Sequence, residues 1–131
     1  MTYVDGFLTP VPTANKQAYL AHASEAADLF RRLGATRMVE AWGDDVPDGK
    51  LNDLKKAVQA TSDETVLFSW VEYPDKATGL AAGEKMMNDP QAAEMMKNMP
   101  FDGSRMIYAG FESIVEQGTA GGLGYLDGYV L

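Results

Sequence analysis

The chain has 131 residues, 19 acidic against 11 basic side chains, one histidine and no cysteine. That length suits one compact domain with a core large enough to need no staple. The missing cysteines exclude disulfides, thiolate nucleophiles, Fe–S clusters and Cys-ligated zinc, and the lone His22 excludes a His-pair metal site within one subunit. We therefore expect no metal and no cofactor, and only carboxylate, hydroxyl, amide and aromatic chemistry. A formal charge of −8 and a pI near 4.5 argue against a nucleic-acid partner, because phosphates are bound through Lys and Arg.

The opening residues Met1 to Gly6 lack the basic start and apolar core of a signal peptide. No apolar run approaches the ~20 residues of a membrane helix, so the expectation is a cytoplasmic bacterial protein with no membrane partner.

Thr2 to Thr9 is aromatic and aliphatic, and Pro10 and Pro12 lack the N–H a strand interior uses, so a first strand is expected to stop there. From Thr13, the expected N-cap, Tyr19, Ala23, Ala26, Phe30 and Leu33 recur at three- and four-residue steps up to Gly34. This spacing predicts an amphipathic helix. Ala35 to Gly43 switches to period two before the acidic turn Asp44 to Gly49, predicting a second strand. Leu51, Leu54 and Val58 allow a short helix. The pattern then starts over: a β-branched and aromatic strand from Thr65 to Tyr73, a helix capped by Asp75 and running to about Asn88, and a further helix opened by Asp89-Pro90 and running to Met99. The turn Phe101-Asp102-Gly103 leads into a last main strand, Arg105 to about Val115. The order β-α-β followed by β-α-β is a split βαβ plan, with two helices covering one face of a four-stranded antiparallel sheet.

One domain is expected over residues 1–117, followed by a glycine-rich connection in 118–131. Within that connection, Tyr125-Leu126-Asp127-Gly128-Tyr129-Val130 echoes Tyr3-Val4-Asp5-Gly6-Phe7-Leu8. The echo reads either as an extra strand at a sheet edge of this or a partner subunit, placing Asp127 as Asp5 is placed, or as chance similarity on a frayed tail.

Period two also sorts the strand residues by face. Giving Ile107, Ala109 and Phe111, Val39 and Ala41, Leu67, Ser69 and Val71, and Val4, Gly6 and Leu8 to the helices leaves Tyr3, Phe7, Trp42, Phe68, Trp70 and Tyr108 on the uncovered face. The carboxylates Asp5, Glu40 and Glu72 are interleaved with them. So large an aromatic patch calls for a second subunit or a concave site. The competing expectation is a plain dimer core, with the carboxylates satisfied by Arg37 or Arg105.

The runs Tyr3-Val4-Asp5-Gly6-Phe7, Asp45-Val46-Pro47-Asp48-Gly49-Lys50, Phe68-Ser69-Trp70-Val71-Glu72-Tyr73-Pro74, Lys85-Met86-Met87-Asn88-Asp89-Pro90 and Met99 to Tyr108 resemble the YbaA-like bacterial family of unknown function over roughly residues 1–117. That family is similar to the dimeric α/β barrel superfamily, in which two ferredoxin-like subunits join their sheets face to face. The resemblance implies an α+β ferredoxin-like βαββαβ fold and a homodimer through the open sheet face. Superfamily relatives include cofactor-independent monooxygenases, lactone isomerases and haem enzymes, and fold alone does not choose among them.

Other features carry less. His22 lies on the flank of the first helix, away from the candidate site. The turn at Asp44 fails as a calcium loop, with Val46 at its third position and Lys55 at its twelfth. Five methionines between Met86 and Met99 read as helix packing. The functional expectation is a small-molecule-binding protein or enzyme, with catalytic carboxylates Glu40, Glu72 and Asp5 and a pocket lined by Trp42, Trp70, Tyr108, Tyr3 and Phe68. If it is catalytic, proton transfer or cofactor-independent oxygenase or isomerase-type chemistry is the expected class. The alternative is a non-enzymatic structural or stress-related homodimer whose sheet face is entirely interface.

Overall fold

A computed structural model describes residues 2–119, 121 and 124–129. The elements in chain order are β1 (Tyr3–Pro12), α1 (Lys16–Leu33), β2 (Arg37–Trp42), α2 (Leu54–Ala57), β3 (Glu64–Tyr73), α3 (Lys76–Met87), α4 (Pro90–Lys97) and β4 (Ile107–Glu112), with single 3-10 turns at Thr13–Asn15 and Gly103–Arg105. The four strands form one sheet in the order β2-β3-β1-β4, and every neighbouring pair is antiparallel.

Local chemistry explains most boundaries. Helix α1 stops at Gly34, whose φ of 122° suits a residue without Cβ; the Gly34 N–H bonds to the Arg31 carbonyl and the Ala35 N–H to that of Phe30, closing the orphan carbonyls. Asp75 and Asp89 cap α3 and α4, accepting from the backbone N–H of Thr78 and from those of Gln91 and Ala92. Thr13 is not a cap: its hydroxyl pairs with that of Thr65 at 2.8 Å, and α1 begins three residues later without a side-chain cap.

β1 runs through both prolines instead of stopping at Thr9. The Val66 carbonyl accepts from the Gly43 N–H on the β2 side, so Val66 turns its polar backbone away from β1 and its partner Pro10 sits in a non-hydrogen-bonded pair. The missing donors at Pro10 and Pro12 therefore face the other flank, where β4 has already ended at the Leu8–Ile107 pair. β4 is also shorter than expected, because residues 103–105 are spent on a turn anchored by Arg105.

Register decides the faces. Phe7 pairs with Ser69 and with Tyr108, and Ser69 pairs with Glu40; Thr9 pairs with Leu67, and Leu67 with Trp42; Asp5 pairs with Val71, and Val71 with Met38. Cross-strand partners share a face, and this is the face the helices cover. One core joins Leu29, Leu33, Ala82 and Ala92 to Val71 and Tyr73, with Tyr3, Phe7 and Met38 packed against it, and a second joins Tyr19 and Ala23 to Val11 and Leu67, with Trp42 and Phe101 alongside.

The expected face assignment holds for β3 and is inverted for β1, β2 and β4. Tyr3, Asp5, Phe7, Glu40, Trp42 and Tyr108 lie on the helix-covered side, while the other side carries Val4, Gly6, Leu8, Val39, Ala41, Phe68, Trp70, Glu72, Ile107, Ala109 and Phe111. The reason is volume. α3 and α4 bury only small residues (Gly79, Ala82, Ala92), which leaves room for large strand side chains beneath them, while α1 adds Tyr19, Leu29 and Leu33 of its own around Ala23. A Cβ at Gly79 would stand 3.1 Å from the Tyr3 ring and 3.2 Å from the Tyr73 ring.

Of the expected C-terminal strand, residues 124–129 form no strand in this chain, and Val130 lies outside the described residues. A Cβ on Gly128 would meet the Phe68 ring at 3.2–3.3 Å, and the Tyr125 hydroxyl donates to Asp44 at 3.3 Å. The segment thus crosses the open face, and Asp127 lies on the opposite side of the sheet from Asp5.

Candidate functional site

Glu40 sits at the centre of the outer strand β2, beside the buried Ser69 and under the first turns of α1. The Tyr19 hydroxyl, on the buried stripe of α1, donates to Glu40 Oε2 at 2.8 Å. Burial pushes the Glu40 carboxyl up to about 7, although the hydroxyls of Tyr19 and Ser69 each pull it down. Burial and the neighbouring carboxylate push the Tyr19 phenol up, so it remains a protonated donor at neutral pH. Among the described residues Glu40 has no salt-bridge partner. The result is a carboxyl that exchanges a proton near neutrality and holds one fixed donor.

Asp5 lies on the same face, and burial raises its pKa. It is two strands away from Glu40, roughly 10 Å by strand spacing, and the two do not form a pair. Burial, and then the charge of Asp5, raise the Tyr73 phenol to about 12. Glu72 is on the other face and belongs to a different arrangement: its Oε2 accepts from Arg37 Nη1 at 2.8 Å and from Trp70 Nε1 at 2.9 Å, with the Arg37 guanidinium 6.0 Å from the Trp70 ring. This side chain is an anchor that holds Trp70 and Arg37 in place. The three expected catalytic carboxylates are thus not brought together.

The expected lining residues also divide. Trp42, Phe68 and Trp70 border an open cleft of 1410 Å³ between β2, the loop 43–53 and residues 124–129, and because β2 is an outer strand Glu40 borders it as well. Tyr3 packs inside against α3. Tyr108 stacks on Phe7 at 5.9 Å and is 71% exposed, away from the cleft. Arg105 does not serve the site: it grips Glu64 through both terminal nitrogens, holding it down at about 2, and Asp102 through Nε, where the Ser104 hydroxyl and then Arg105 hold that carboxyl down at about 2. His22 lies against Tyr19 and Phe101, and burial lowers its pKa.

Sequence reasoning missed Tyr19 and Ser69. Ser69 carried a usable signal as the only polar residue in the helix-facing row Leu67-Ser69-Val71, since a hydroxyl in a buried row needs a partner. Tyr19 carried none, because at its helical position a core ring and a hydrogen-bond donor read alike.

Four antiparallel strands in this order, with the helical crossovers on one face, define a ferredoxin-like α+β protein. The chain belongs to the family described as "Protein of unknown function (DUF1428)", whose profile matches residues 2–103. It is 54% identical over 117 residues to "Uncharacterized protein YbaA" of Escherichia coli K12, a match covering 89% of this chain and 100% of the relative. Among solved structures, it is similar to a chain described as "Putative antibiotic biosynthesis monooxygenase from Nitrosomonas europaea", with TM-score 0.54, 12% identity, and coverage of 86% of this chain and 90% of that one. A second, an ethyl tert-butyl ether d (ethd) family protein from Bacillus halodurans, aligns with TM-score 0.49 and 20% identity over 87% of this chain and 100% of that one. Among the described residues no helix is long and apolar enough to cross a membrane.

Proposed function

We propose that this protein binds a small organic molecule in the cleft beside β2 and moves a proton with Glu40 as general base or acid. The observation that carries the reading is the Tyr19–Glu40–Ser69 cluster. It is a carboxyl with no salt-bridge partner among the described residues, hydrogen-bonded by a phenol at 2.8 Å and carried on an outer strand whose residues, Glu40 among them, border the cleft. Proton abstraction from a carbon or hydroxyl acid is the step common to the isomerase-type and cofactor-independent oxygenase chemistries, and a base with a pKa near neutrality suits it. Phe68 and Trp70 supply apolar walls, with Trp42 bordering the cleft from the outer strand, and the Arg37–Glu72 pair fixes the Trp70 ring. Asp5 stands apart from the cleft and contributes to the buried polar layer.

The assembly belongs to the same reading. Ile107 and Phe111 are 44% and 56% exposed on the open face, and β4 has no covered residue on either side. An apolar row of this kind suits a second copy packed on the β1–β4 half of the face. This feature also supports the second reading, a non-enzymatic homodimer whose function is the interface. Proton chemistry at Glu40 separates the two. ¹³C-carboxyl NMR titration is expected to place Glu40 near pH 7, and Glu40→Gln is expected to abolish turnover of any substrate found by screening carbon acids and phenols, with the fold retained. A Glu40 titrating at an ordinary carboxyl value, or full turnover by Glu40→Gln, would overturn the enzymatic reading.

A further inference from the structure

The cleft has a wall, residues 124–129, that lies beyond the stretch the family profile matches. YbaA is matched over its whole length by 117 residues of this chain, which leaves about 14 of 131 outside the match, and the family profile ends at residue 103. Residues 124–129 run over Phe68 on the open face, so close that a Cβ at Gly128 would press on the Phe68 ring at 3.2–3.3 Å. They carry two tyrosines, Tyr125 and Tyr129, whose rings are 71% and 77% exposed beside the cleft. Apolar rings on a segment anchored at both Asp44 and Phe68 are positioned to meet something entering between that segment and Trp70.

The charge around the cleft restricts what that is. Its lining includes six carboxylates, from Glu40 to Asp127, and Arg37 is the single Lys or Arg among the described lining residues. Arg37 is already spent on Glu72. Asp48 and Asp53 are paired with Lys55 and Lys56, which leaves Asp44, Asp45 and Asp127 without a salt-bridge partner among the described residues; an anion would meet their negative potential, whereas a cation would meet these carboxylates and the faces of aromatic rings together. The field is felt locally: burial and then Asp44, Asp45 and Asp127 push the Tyr125 phenol up.

We infer that the C-terminal segment completes the ligand cleft in this chain, and that the completed cleft selects a planar organic cation, stacked between Trp70 on the sheet and Tyr125 and Tyr129 on the segment, with the Phe68 ring, covered by Gly128 and edge-on to Trp70, closing one end. This rests on the reading of the cleft as a small-molecule site and names the class of ligand it takes. A positive ring also makes its adjacent C–H groups more acidic, which matches a weak carboxylate base.

The test uses the full chain and two probes of the same shape, N-methylquinolinium and neutral quinoline near pH 7.5, with binding followed through the tryptophan and tyrosine ring signals in NMR. The cation is expected to bind at least about tenfold more tightly, a margin of ~1.4 kcal/mol, and to shift signals of both Trp70 and Tyr125. Asp44→Asn combined with Asp127→Asn is expected to erase most of the preference. Tyr125→Ala is expected to weaken both probes, and circular dichroism identifies any variant that has lost its fold. Equal binding of the two probes, or an unchanged preference in the double Asn variant, overturns the cation assignment and leaves the cleft as a small-molecule site. Binding that shifts Trp70 but is untouched by Tyr125→Ala overturns the role of the segment. No shift at the cleft with either probe overturns this inference; the proton chemistry of Glu40 is then judged by its own titration.

Discussion

Replacing Glu40 by glutamine separates the cost of the site from its use. Folding raises the Glu40 pKa from 4.5 to about 7, so the native state holds a proton that the unfolded chain releases throughout that window. Its contribution to stability therefore falls as pH rises from 4.5, and above 7 the whole cost of burying the ion is present. A shift of about 2.5 pH units corresponds to at most ~3 kcal/mol at 1.36 kcal/mol per unit. Glutamine cannot ionise, and its carbonyl can still accept from Tyr19. Glu40→Gln should thus match the wild type within ~1 kcal/mol near pH 4.5 and exceed it by ~2–3 kcal/mol near pH 8. Urea unfolding across this range, followed by far-UV circular dichroism, measures the difference. Burial lowers the pKa of His22, which gives the opposite slope, stability rising with pH. That term is common to both proteins and cancels in the comparison. Equal loss of stability at both ends, or parallel pH profiles, would refute the account of Glu40 as a destabilised buried carboxylate.

Tyr19→Phe removes the phenolic donor at 2.8 Å, so the Glu40 pKa should climb above 7, read directly by carboxyl NMR. Gly110→Ala should cost ~1–3 kcal/mol, because an added Cβ meets the Tyr3 hydroxyl; the Tyr3→Phe double variant should recover part of the loss in urea unfolding, and a neutral Gly110→Ala would contradict this packing. Arg105→Ala should let Glu64 rise from about 2 toward its ordinary value. Glu64 has a depressed folded pKa, so its stabilisation is present above 4.5 and lost as pH falls toward 2; the variant should lack that term and show a Glu64 titration near 4.5 by NMR.

The strand and helix succession, the caps at Asp75 and Asp89 and the stop at Gly34 follow from sequence, because each depends on a few neighbouring residues acting through backbone hydrogen bonds. So does the absence of cysteine chemistry. The sequence also contained the candidate Glu40 and the aromatic residues Trp42, Phe68 and Trp70 that border the cleft. Which side of the sheet each residue faces was not legible, since both rows of β1 and β4 are apolar enough to be buried and period two leaves the choice of face open. Tertiary structure made that choice. The small buried faces of α3 and α4 left room for the large row, Tyr3, Phe7 and Trp42, and the register then set Glu40 beside Ser69 and under Tyr19 while leaving Glu72 with Arg37 on the opposite side. A carboxylate's chemistry depends on what surrounds it, and here those surroundings are assembled from segments as far apart in sequence as α1 and β3.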